Sequence, residues 1–298
     1  MRDGIKLHHP KARRRVRMRT ALLLTLGAFA LLLLARAVLS VPGVLPAWLS
    51  FLLETLVCIV AFGGAAYLGL YELDGRQTQM IRRCCLSTPH ILWLSLLGVL
   101  FVAPATLISD VSAAVLGMPH AYQGAPDAAL FLPMLVKSAL IAPVCEELFF
   151  RGYLMGVFSR YGEREAALVT SLIFALMHGG NLAAHTLFGL LLACMMLHTN
   201  SLIAPALIHA AYNAALVLLA FSGLERLLIG LTPASCLLRI LLCGAFVYAL
   251  RKAVTARGTR VHAQPVKNLA LSRRETALVA GAVLALFAAS LITAGVRV

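Results

Sequence analysis

Apolar residues along this chain gather into runs of roughly 18 to 25 positions that recur from end to end, separated by short polar or basic stretches. A helix rises about 1.5 Å per residue, so about 20 apolar residues cover a hydrocarbon core about 30 Å thick. A single buried core would not need so many such runs. Candidate helices fall at roughly 20–35, 47–71, 90–109, 129–159, 165–180, 182–198, 201–222, 227–250 and 275–295. The pattern predicts an all-α fold, a polytopic transmembrane bundle of about 8–9 helices. We divide it into a basic N-terminal segment 1–19, N-terminal membrane helices within 20–128, a helix core 129–222 that carries most of the intramembrane polar residues, and C-terminal helices within 223–298 interrupted by a basic linker 251–274.

Composition sharpens the class. Of 298 residues 61% are hydrophobic and 13% charged, with mean hydropathy +0.89, whereas soluble domains run near ~45–50% apolar and ~25% charged. The formal charge of +14 does not point to nucleic acid, because the basic residues sit in the loops between apolar runs. Positive-inside topology accounts for them. Residues 1–19 hold eight Lys or Arg against one Asp and precede an apolar run without a small-residue cleavage site, which reads as a first anchor with a cytoplasmic N-terminus. Threading from there places Arg76, Arg82, Arg83, Arg160, Arg164 and the seven basic residues of 251–274 inside, and the loop 110–127, free of Lys and Arg, outside. An integral protein of a bacterial cytoplasmic membrane is the expected location. Seven cysteines are an odd number with no metal-ligand spacing; they read as small apolar filler, with palmitoylation of Cys84 and Cys85 as the alternative.

Charges inside the spans carry the chemistry, since each costs about 2.5–3.5 kcal/mol at the bilayer centre on insertion scales. Glu54, Lys137 and Arg239 are isolated in sequence and are expected to snorkel or to pair with a neighbouring helix. The stretch 142–154 differs, with Glu146, Glu147 and Arg151 close together on one apolar helix. Glu147 and Arg151 stand at i, i+4 with the acid first, the favourable order for a pair within one helix. Glu146 points about 100° away and needs a polar pocket or a proton. The link 159–163 reads as a hairpin turn centred near Gly162, with Glu146 sixteen residues before it and His178 sixteen after. Antiparallel helices leaving that turn bring both side chains to the same depth, and Gly179 and Gly180 would end the second helix. His209 and Asn213, again i, i+4, share one face of the next hairpin, and bundles build sites from such facing groups. His185 and His198, nearer the ends of their span, read as ordinary histidines.

At these residues the sequence resembles the CPBP family of CAAX-type prenyl endopeptidases and bacteriocin-processing or immunity membrane proteins. The resemblance rests on Glu146-Glu147-Leu-Phe-Phe-Arg151, Phe174-Ala-Leu-Met-His178 and His209-Ala-Ala-Tyr-Asn213, flanked by Ala142-Pro143, Gly152 and Phe188-Gly189, and covers roughly 129–220. It implies an intramembrane endopeptidase in which Glu146 and His178 activate a water. His209 and Asn213 would stabilise the oxyanion, and Glu147 and Arg151 would support the site. Glu146, His178 and His209 could supply three ligands to a zinc ion with an open fourth position, but HExxH is absent, and the reading favours no obligatory cofactor. The expected partners are a membrane-associated peptide or protein substrate and the lipid bilayer, with no nucleic acid. Two other classes compete. A non-catalytic immunity or scaffold protein would not need His178, His209 and Asn213 together. A transporter using the charges as an ion relay would be expected to show paired broken helices in two matching halves.

Overall fold

The computed structural model describes residues 18–39, 45–70, 86–116, 126–178, 181–256 and 273–295. Expectations resting on 1–17, on Arg76, Arg82, Arg83, Cys84 and Cys85, on Gly179 and Gly180, and on 257–272 lie outside those residues. The described residues form nine helical stretches and no strand: α1 Met18–Leu39, α2 47–70, α3 88–116, α4 Ala128–Phe158, α5 Glu163–His178, α6 Leu182–Thr199, α7 Ile203–Ser222, α8 Pro233–Thr255 and α9 Arg273–Gly295. Among them α1–α4 and α6–α8 are long and apolar enough to cross a membrane, by length and composition. The sixteen residues of α5 rise only about 24 Å and carry Glu163, Arg164 and Glu165 in the first turn. One side of it packs on protein, with Ala166, Thr170, Ser171, Ile173 and Phe174 all buried, while Leu168 is exposed.

Local chemistry sets the boundaries that matter. The α4–α5 turn closes at Gly162, whose φ of 141° lies where a side chain would be strained. Helix α8 starts at Pro233, later than the hydropathy pattern suggests, because the Thr232 side chain caps the Ser235 N–H and a proline suits the first helical turn. Helix α4 is irregular. It widens into π turns over Lys137–Ile141 and Leu148–Leu154, on either side of the two glutamates. Pro143 explains the first: it has no N–H to donate and its ring crowds the carbonyl one turn back.

Charges outside the glutamate stretch find partners across helices. Lys137 on α4 lies 2.6 Å from Glu54 on α2, half-exposed, with its ammonium 4.6 Å from the Phe51 ring. Arg239 on α8 is fully buried and lies 2.6 Å from Asp110 on α3. Its remaining donors reach the Gly230 carbonyl and Ser235. Asp110 therefore belongs to a helix and not to the external loop that the charge pattern suggested; α3 continues to residue 116 because Arg239 neutralises the acid inside the bundle.

Close backbone approach locks α3 to α7. A methyl group added at Gly98 would clash with the Ile208 carbonyl, so the glycine lets α7, the helix of His209, lie directly on α3.

Breaking one side of a buried pair strands the other charge, at a cost of about 3–5 kcal/mol. Arg239→Leu should therefore lower the thermal midpoint of the detergent-solubilised protein sharply, and adding Asp110→Leu should recover most of the loss. A double variant as unstable as the single would show that the pair does not act as a unit.

Candidate active site

Four helices bring the site together. Glu146 and Glu147 come from the turn of α4 between its two π segments, His178 from the last residue of α5, Gly189 from α6, and His209 and Asn213 from α7. Glu147 is the most deeply held. Its Oε1 accepts from Arg151 Nη1 at 3.1 Å and from His209 Nδ1 at 2.9 Å, with no exposed side-chain surface on either Glu147 or Arg151. The i, i+4 pair within α4 is thus one arm of a bridge, and its second arm reaches α7, a contact that spacing along one helix does not reveal.

Arg151 is held through its two Nη atoms and its guanidinium face, while its buried Nε has no hydrogen-bond partner among the described residues. Nη2 donates to the Gly189 carbonyl at 3.0 Å, and the guanidinium carbon stands 4.9 Å from the centre of the Phe174 ring and 5.6 Å from that of Phe150, within cation–π range. Gly189 reaches Arg151 because it lacks a side chain; a methyl there would meet Ser171 Cβ of α5 at 2.9 Å.

Glu146 faces the other way. Its Oε2 lies 3.2 Å from His178 Nε2 and 3.8 Å from His209 Nε2, and it is a buried oxygen without a well-aligned hydrogen bond among the described residues. The ring nitrogens on the far sides are committed. His178 Nδ1 donates to the Phe174 carbonyl at 2.8 Å, and His209 Nδ1 to the Glu147 carboxylate. Both acceptors require a hydrogen on Nδ1, so in the neutral tautomers each Nε2 presents a lone pair towards Glu146. Three acceptors then converge on one spot. A hydrogen donor entering such a cluster, a shared proton or a water O–H, stabilises it.

Phe174 organises the histidines with both its carbonyl and its ring. The ring centre lies 4.1 Å from that of His178 and 5.8 Å, edge-on, from that of His209, while Phe188 meets His209 edge-on at 5.2 Å. This gives the phenylalanines of the sequence pattern a physical task, which is to clamp both imidazoles in apolar contacts that leave only one nitrogen edge free.

Asn213 stands apart from the carboxylates. Its Nδ2 donates to the Ser138 carbonyl on α4 at 2.8 Å. That carbonyl is open because the Ala142 N–H bonds back to Lys137 in the π turn and residue 143 is proline. One N–H of the amide remains. His185, read from sequence as ordinary, stacks on His178 with ring centres 5.3 Å apart and is held by its own Nδ1 on the Asn181 carbonyl. Neither His185 nor Ser138 carries a signal along the sequence; only Pro143 hints at the open carbonyl. His198 bonds the Val254 carbonyl, away from the site. Among the described residues no three His, Cys, Asp or Glu side chains are disposed to hold a metal ion.

Residues 127–215, just under a third of the chain, match the family Rce1-like, type II CAAX prenyl endopeptidase Rce1-like. Over that stretch the chain is similar to the CAAX-type prenyl endopeptidases. The seven apolar helices, with this match, make it an integral membrane protein. The matched stretch runs from the start of α4 into α7 and contains Glu146, Glu147, Arg151, His178, His209 and Asn213. The curated proteins contain no match to the chain.

The bridge through Glu147 yields a stability prediction. Glu147→Gln leaves Arg151 buried without its counter-charge and should cost about 3–5 kcal/mol, seen as a fall in folded yield and in thermal midpoint along with activity. A variant that loses activity at unchanged thermal midpoint would contradict the bridge as a structural element.

Proposed function

We propose that the chain hydrolyses a peptide bond of a membrane-associated peptide or protein with a water activated by Glu146 and His178 inside the helix bundle. The observation that supports this is the convergence of Glu146 Oε2 with two imidazole Nε2 atoms whose opposite nitrogens are tied down. A water entering that cluster supplies the donor it lacks. As the water oxygen bonds to the substrate carbonyl carbon, its proton passes to the Glu146–His178 pair. The same pair returns the proton to the amine as the C–N bond breaks.

His209, backed at Nδ1 by the Glu147 carboxylate, can take up a proton at Nε2 and so face the developing oxyanion. The N–H that Asn213 keeps after bonding Ser138 supplies a second donor, and donors of this kind contribute about 3 kcal/mol each. Arg151 acts through Glu147 as a positioning residue. The donor arrangement supports a reaction that needs no obligatory metal, with zinc on Glu146, His178 and His209 as the rival arrangement. We place the basic N-terminus on the cytoplasmic side, on the positive-inside distribution.

Glu146→Gln and His178→Ala should each reduce cleavage by about 10²–10⁴-fold, the range of general acid–base catalysis, without lowering the thermal midpoint. The substrate is found by comparing peptide termini in membranes that carry wild-type or Glu146→Gln protein. Wild-type turnover in either variant sinks the assignment. Prolonged chelation of the purified protein should leave its rate unchanged; loss on chelation with recovery on adding zinc would favour the zinc arrangement.

A further inference from the structure

Glu146 and His178 line a cavity of about 220 Å³ whose other walls include Phe29 and Leu33 of α1 and Phe62 of α2. His178 is the last residue of α5, and 26% of its side-chain surface is exposed. A ring at a helix end and beside a cavity has few neighbours to hold it, yet its Nε2 stands 3.2 Å from Glu146 Oε2. The bond from Nδ1 to the Phe174 carbonyl pins one edge, and the Phe174 ring lies 4.1 Å away. Both of these come from α5 itself. The ring contact from another helix is His185 of α6, whose centre lies 5.3 Å from that of His178 at an interplanar angle of 26°, a stacked pair.

His185 has a firm mount of its own. The Asn181 carbonyl accepts both the His185 backbone N–H at 3.1 Å and its Nδ1–H at 2.8 Å. Asn181 caps α6 by accepting from the Ala184 N–H at 2.9 Å, and its amide reaches the Ser109 carbonyl of α3 at 3.4 Å. The ring is thus tied to the start of α6 and through it to α3. Its place on the helix is also informative. His185, Phe188 and Gly189 fall at i, i+3 and i+4, one stripe of α6. Each meets a different part of the site: His185 stacks on His178, Phe188 meets His209 edge-on at 5.2 Å, and the Gly189 carbonyl takes Arg151 at 3.0 Å. His185 is not among the residues lining the cavity, so its effect runs through His178 and not through substrate.

We infer that His185 is a positioning residue whose flat ring holds the plane of His178, keeping Nε2 on Glu146 while the proton moves. This rests on the peptidase reading above, and it adds to that reading a residue outside the segments 146–151, 174–178 and 209–213. Reacting groups work only when packing locks their rotamers, and a displacement of about 1 Å is enough to cost about a hundredfold in rate.

The test compares His185→Leu, which keeps bulk without a flat face, with His185→Phe, which keeps a flat ring, in the full chain in nanodiscs. Turnover is read on the peptide that the comparison of termini identifies. The His178 ring is read in parallel by nitrogen-15 spectra, through the solvent exchange of its Nδ1–H. His185→Leu should lower kcat by about 10- to 100-fold at unchanged KM and unchanged thermal midpoint, and the exchange at His178 should quicken. His185→Phe should restore most of kcat and slow the exchange again. Wild-type kcat or unchanged exchange in His185→Leu overturns the inference. Equal loss in both variants does the same, because the flat face would then not be what matters, and so does a rise in KM at unchanged kcat, which would put His185 on the substrate. Exchange that responds as stated, in a protein whose wild type cleaves nothing, would defeat the peptidase reading and leave the positioning contact standing.

Discussion

The polar groups of the site hang on one carboxylate. Glu147 is fully buried and joins Arg151 on its own helix to His209 on α7, while Arg151 extends the link to the Gly189 carbonyl of α6. A charge in hydrocarbon is tolerated when it is paired and hydrogen-bonded on every side. Pairing Glu147 Oε1 and the Arg151 Nη atoms in this way ties α4, α6 and α7 into one arrangement. Once Glu147 holds His209 by Nδ1, the other ring nitrogen has a single direction left, towards Glu146.

The division of labour between the adjacent glutamates follows from this. Helical geometry turns them about 100° apart, so one can be satisfied by the scaffold while the other is left to chemistry. Glu146 has imidazole edges for company and lines the cavity. The two π turns of α4 serve the same end. The wide turn before Pro143 frees the Ser138 carbonyl for Asn213, and the wide turn after Glu147 carries Arg151, still within reach of its acid. Irregular backbone of this kind is found where a helix is bent to a task.

Much of the scaffold was legible in the residues because hydropathy and helical spacing are local. The apolar runs give the positions of the spans, with ends that differ by up to about seven residues, as in α3 and α8, and the i, i+4 pairing of Glu147 with Arg151 follows from one helix. Equal counts on either side of Gly162 bring Glu146 to the depth of His178, and the two lie 3.2 Å apart. What could not be read are pairings between distant segments with no shared period. Glu147 meets His209 across 62 positions, Asn213 meets Ser138 across 75 and Asp110 meets Arg239 across 129. Asp110 shows the cost. Judged by the charges around it, the residue belongs in a loop; its partner on α8 keeps it in a helix.

The central claim is that both histidines carry hydrogen on Nδ1 and turn Nε2 towards Glu146, bare on His209 when that ring is neutral. Nitrogen-15 spectra of the histidine-labelled protein in nanodiscs, with His178 and His209 assigned by single substitution, measure this directly. The account predicts a protonated Nδ1 on both rings, and on neutral His209 an Nε2 with the shift of an unprotonated nitrogen. A neutral His209 protonated at Nε2 would contradict it, because the donor that water is proposed to bring would already be present.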